Sequence, residues 1–169
     1  MQEFLLENYS VLTHSVEAMA ALTGIFLFKY YRKSVAKYFI YFLIFLTFCD
    51  FLNTYTWLVK PDKSLSFLIG TLIQKNYWWS TLFWKIGAIM FFAFYYQKII
   101  KAKHFKNIIK YASYIFLTFS MIYISLNWED FFNSFFPSIS IFGAIIVFLC
   151  TVFYFLEILQ NDEILTFYK

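Results

Sequence analysis

Three ionisable side chains, Glu17, Asp50 and Lys85, each fall inside a separate apolar stretch long enough to cross a lipid bilayer. A charge in hydrocarbon costs about 2.5–3.5 kcal/mol even on the lenient insertion scale, so such residues normally face a protein interior or a wet cavity. Counted from the basic end of its segment, each lies about a dozen residues in, or ~18–20 Å at the helical rise. Two acids and one base at one depth define a candidate site. Lys85 can neutralise only one carboxylate. The other must be protonated, hydrogen-bonded to Asn53 or His14, or left to bind a cation, because an isolated charge is not kept in a low-dielectric interior. The chemistry this allows is a proton- or ligand-responsive switch. A plainer reading has a Lys–carboxylate pair holding three helices in register, with the second acid inert, since interhelical polar contacts in membranes often contribute only ~0.6 kcal/mol. His14-xx-Glu17 with Asp50 makes a poor metal site, because the ligands are few and no second His or Cys supports them.

The elements that carry these residues follow from hydropathy. The chain is 62% hydrophobic and only 14% charged, too apolar for a water-soluble domain of 169 residues. A window of ~19 residues marks about five spans, near 9–28, 38–59, 77–96, 108–126 and 138–159. Their continuous apolarity excludes the alternating pattern of an outer-membrane barrel. The expected fold is therefore all-α: an integral membrane helical bundle, forming one polytopic domain over residues 1–169. The N-terminal Met1-Gln2-Glu3-Phe4 lacks the basic start of a signal peptide, so the first span reads as retained.

Polar residues on three spans share faces. Thr13, His14, Glu17, Ala20, Ala21 and Gly24 recur at helical steps, and Ala20-xxx-Gly24 has the small-xxx-small spacing of closely packed helices. Thr47, Asp50, Asn53 and Thr54 form a second stripe, and Thr81, Lys85 and Ala88 a third. In a membrane such stripes are most cheaply turned towards one another.

Basic residues set the orientation. Lys29, Arg32, Lys33 and Lys37 link spans one and two, and Lys98, Lys101, Lys103 and Lys106 link spans three and four. The other side has Lys60, Lys63 and Lys75 offset by Glu3, Glu7, Asp62, Glu129 and Asp130. The positive-inside rule then predicts an outside N-terminus and a cytoplasmic C-terminus. The same rule accounts for the net charge of +4, which is no argument for nucleic-acid binding. Two outer loops read as short interfacial helices. One carries Leu65, Leu68, Ile69, Leu72 and Ile73 at helical spacing; the other carries Trp128, Phe131, Phe132, Phe135 and Phe136 and ends at Pro137. Glu157 reads as a snorkelling residue at the inner end of the last span. Cys49 and Cys150, without CxxC spacing or a Cys/His cluster, read as plain lipid- or core-facing thiols.

Hydrolase, metalloprotease, P-loop and Rossmann signatures are absent, and four glycines leave little for a phosphate cradle. The reading is not an enzyme and needs no cofactor. The stretch Ser15–Gly24, the Lys/Tyr-rich turn after it and the aromatic second span with Asp50 resemble uncharacterised bacterial polytopic inner-membrane proteins of roughly seven helices. The segment Asn161–Lys169 is similar to the link that leads there into a further helix pair, which implies that a longer form would continue beyond it. The expected function is a sensor or partner-binding membrane module in a bacterial inner membrane. Its partners would be the bilayer and a membrane protein or a second copy of the chain. The alternative is a transporter or channel-like protein that uses the charged cluster as a proton or ion site.

Overall fold

The computed structural model describes residues 8–160, apart from the Ser10 side chain; Glu3, Glu7 and Asn161–Lys169 lie outside the described residues. The order is α1 (Tyr9–Tyr31), α2 (Ala36–Asn53) continuing into a 3-10 turn (Thr54–Leu58), two more 3-10 turns (Ser66–Leu68 and Leu72–Gln74), and α3 (Tyr77–Trp79). A π segment (Ser80–Gly87), α4 (Ala88–Ile99), α5 (Lys103–Leu126), α6 (Trp128–Asn133) and α7 (Pro137–Leu159) follow. The described chain is all-helical, with no strand among these residues. It divides into two compact units, Met1–Gln74 and Lys75–Lys169.

Among the described residues four helices, not five, are long and apolar enough to cross a membrane: Val11–Tyr31, Ala36–Leu58, Lys103–Leu126 and Pro137–Leu159. The span expected over 77–96 is helical but arrives in three pieces of 3, 8 and 12 residues. None of these alone reaches the ~20 residues that a bilayer core requires. The break has a local cause. Around Lys85 the backbone takes the wider π turn, a form that usually appears as a short insert within an α-helix.

The first unit is a helical hairpin. Gly24 faces Ile40, and Thr47 faces the carbonyl of Glu17, so sequence position rises on one helix as it falls on the other. The helices are antiparallel. Ala21 and Gly24 are the buried residues of α1, against Ile40, Phe42, Leu46 and Cys49 on α2. A Cβ on Gly24 would lie 3.1 Å from Ile40 Cγ2, so the small residue sets how near the backbones come. Much of the remaining surface of α1 is apolar and exposed, with Val16, Met19 and Phe26 all more than 60% exposed.

The second unit packs α4, α5 and α7 around one core. On α5 the buried residues are Ile109, Ser113, Phe116, Ser120 and Ile124; on α7 they are Ile139, Gly143, Ile146 and Cys150. Steps of three and four make each a single stripe, and Ile86, Ala93 and Ile100 repeat every seven residues opposite them. Phe105 stacks on Phe153, and Phe119 on Phe142, so α5 and α7 run antiparallel. Gly143 fits this seam because a Cβ there would lie 2.9 Å from Ile89 Cγ1.

The loops depart from expectation in instructive ways. The run Leu65–Ile73 is two 3-10 turns rather than one helix, because Gly70 adopts φ +82° and the Gln74 side chain accepts its N–H at 3.0 Å. A left-handed residue ends a right-handed helix. The aromatic run does begin a short helix, α6, but Phe131, Phe132 and Phe136 are buried in the core of the second unit. Pro137 begins α7 at its first turn, where its missing N–H costs nothing.

Candidate functional site

The site is built on the seam of the α1–α2 hairpin. Glu17 lies two turns from Gly24 on the same face of α1, where the close approach at Gly24 also brings α2 near. Thr47 Oγ1 donates to the carbonyl of Leu43 at 2.9 Å and reaches the carbonyl of Glu17 at 3.4 Å. The antiparallel register then places Asp50 opposite the turn His14–Glu17, and the Glu17 and Asp50 side chains come within hydrogen-bonding reach. Two carboxylates have no donor to offer each other, so this contact is attractive only with a proton between them. His14 stands one turn from Glu17 on α1. Glu17 Oε2 and Asn53 Oδ1 are both buried atoms without a donor among the described residues.

Glu17, Asp50, His14 and Asn53 therefore occupy adjoining turns of one hairpin. Lys85 belongs to the second unit, where its ammonium sits 4.7 Å from the centroid of the Phe135 ring. Within that unit the lysine has a cation–π partner. The only buried polar side chains among the described residues are Thr81, Ser113 and Ser120, while Glu17, Asp50, Lys85, His14 and Asn53 are each half-buried. For the hairpin the reason is geometric: two helices can cover a side chain from two sides only. No group of three or more His, Cys, Asp or Glu among the described residues is placed to hold a metal ion. Cys49 and Cys150 are both buried thiols, and neither forms a disulfide among the described residues.

Glu157 does work the sequence did not reveal. Its carboxylate accepts the backbone N–H groups of Lys101 at 2.6 Å and Ala102 at 3.0 Å, tying the end of α7 to the turn before α5. The N-cap of α5, Ala102, has no side-chain oxygen to serve that end, so a carboxylate from α7 takes the place of a local cap. No spacing rule connects residues so far apart, and only the tertiary fold brings them together.

No family model, no curated protein and no solved structure matches this chain.

Proposed function

We propose that this chain is a multi-pass integral protein of a bacterial inner membrane that acts as a non-enzymatic sensor or partner-binding module, with the Glu17–Asp50 pair as its responsive element. The observation that supports this most directly is the contact of two carboxyl groups on facing helices. Two full charges 4 Å apart repel by about 4 kcal/mol at an effective dielectric near 20. An interhelical polar contact in a membrane contributes about 0.6–1.7 kcal/mol. The charge state of the pair thus outweighs the polar contact that closes the seam. A proton, a cation or a donor from a partner would close the hairpin at this level, and its loss would open it.

The basic links Lys29–Lys37 and Lys98–Lys106 support an outside N-terminus and a cytoplasmic C-terminus. The uncovered apolar surface of α1 supports lipid, another membrane protein or a second copy as what surrounds it. Infrared difference spectroscopy tests it: a protonated-carboxyl band should be present in the wild type at neutral pH and vanish in both Glu17→Gln and Asp50→Asn. Absence of the band in the wild type would overturn the shared-proton element.

One observation favours a second reading, a transporter or channel-like protein. The stretch 77–99 is interrupted by a π segment that carries Lys85 and ends at Gly87, and transporters commonly build their sites on interrupted helices. Proton or cation flux into proteoliposomes, abolished by Glu17→Gln, would establish this reading over the sensor.

A further inference from the structure

A concavity of the first unit lies beside the acid pair rather than in it. One wall is a stripe of α1 that includes Val11, His14 and Ala18; the other comes from the 3-10 turn after α2, with Trp57 and Leu58, and Lys63 stands in the loop beyond. The steps of three and four along α1, and the step of three from Thr54 to Trp57 on the 3-10 turn, give each wall a shared face, and Leu58 adds to the lining beside Trp57. The groove encloses about 620 Å³, within the ~300–1,000 Å³ of small-ligand sites.

Its polar groups are unequal. Ser15 Oγ donates to the carbonyl of Val11, and Thr54 Oγ1 to that of Phe51, each at 2.7 Å, so both hydroxyl protons are spent within their own helices. The Lys63 ammonium brings three donors and meets no acceptor or ring among the described residues. His14 adds an imidazole to the α1 wall; the apolar lining is Val11, Ala18, Trp57 and Leu58, with Val11 and Trp57 each 62% exposed. A cation at one end and apolar side chains on both walls match an amphiphile with one acidic head.

We infer that this groove binds a single-chain anionic amphiphile of the fatty-acid class, with its head on Lys63 and its chain between Val11 and Ala18 on one side and Trp57 and Leu58 on the other. The inference rests on the sensor reading for its consequence, since it names the class of ligand such a module would detect. Occupancy itself is measured without the acid pair.

The test uses the full chain in phosphatidylcholine nanodiscs, titrated with a dibrominated fatty acid and, separately, with its methyl ester, while tryptophan emission is followed. The acid should quench saturably, and the saturable part should disappear in Trp57→Phe. Lys63→Gln, an exposed loop change, should weaken the apparent affinity about ten-fold through loss of a charge-assisted contact. The ester should show only the linear quenching of bulk partition. Linear quenching by the acid, equal quenching by acid and ester, or an unchanged Lys63→Gln curve would each overturn the groove. If binding saturates but leaves the infrared carboxyl band of the Glu17–Asp50 pair unmoved, the groove stands and the sensor reading falls.

Discussion

Replacing Glu157 by glutamine should loosen the turn between α4 and α5 without unfolding the helices that flank it. The carboxylate holds two consecutive N–H groups, at 2.6 and 3.0 Å. A hydrogen bond to a charged group contributes about 1.5–3 kcal/mol when well desolvated. Glu157 is half-buried, and solvent screening brings the pair to about 2–3 kcal/mol in total. Glutamine keeps one acceptor oxygen but sets its own N–H₂ against the second backbone donor, so about 1–2 kcal/mol should be lost. Alanine loses both bonds. At about 1.4 kcal/mol per factor of ten, amide exchange at Lys101 and Ala102 should quicken about 5–30-fold in Glu157→Gln and about 30–150-fold in Glu157→Ala. Hydrogen exchange in nanodiscs, resolved to these two amides, is the measurement, with the buried α5 residue Ile109 as internal control. Equal exchange in all three proteins would refute the role of the carboxylate. Exchange that rises as much at Ile109 would show general destabilisation rather than release of one turn.

Other expectations concern packing and unsatisfied groups. Gly143→Ala should gain about 1 kcal/mol of helix propensity but lose about 1–3 kcal/mol to the 2.9 Å clash with Ile89, so thermal stability in detergent should hold or fall. Gly24→Ala meets Ile40 Cγ2 only at 3.1 Å and should be the better tolerated of the two; the reverse order would count against the seam in α7. Thr81 Oγ1 and Ser120 Oγ are fully buried without a partner among the described residues, so Thr81→Val and Ser120→Ala should each raise thermal stability, by about 1 kcal/mol. A loss of that size instead would mean that bound water serves these hydroxyls.

Much of the helical order was legible because lipid-length apolar runs and helical periodicity are local properties. The stripes on α5 and α7 can be read from Ile109 to Ile124 and from Ile139 to Cys150 with no partner in view. The π segment could not be read this way. A π turn adds one residue to a helix without a distinctive residue type, and Lys85 with its aromatic neighbours Trp84 and Phe83 still scores as an apolar run. Gly70 was visible, but helical spacing from Leu65 to Ile73 continues across it; its positive φ, not its identity, breaks the helix. Pro137 was visible too, although a proline fits both after one helix and at the first turn of the next.

Depth along a span is likewise a one-dimensional quantity, which is why Glu17 and Asp50 could be matched from sequence and then found in contact. Enclosure is three-dimensional, and the half-buried state of both acids depends on how many helices surround them. This difference is also what gives the hairpin its chemical character. In the second unit Ser113 donates to the carbonyl of Ile109 and Glu157 takes up two backbone donors, whereas the hydroxyls of Thr81 and Ser120 meet no partner among the described residues. In the hairpin, Glu17 Oε2 and Asn53 Oδ1 are acceptors removed from solvent with no donor among the described residues. A buried acceptor left unserved costs about 1–3 kcal/mol, so such a site draws in whatever donor its surroundings offer. With Asp50 adding a second acid on the same turns, the bound species should be a proton, a cation or an N–H group of a partner, and an anion should be refused. The orphaned groups of the second unit are neutral hydroxyls, which donate as well as accept, whereas those of the hairpin are acceptors beside a second acid, and that difference in charge is why the proposed response belongs at the seam of α1 and α2.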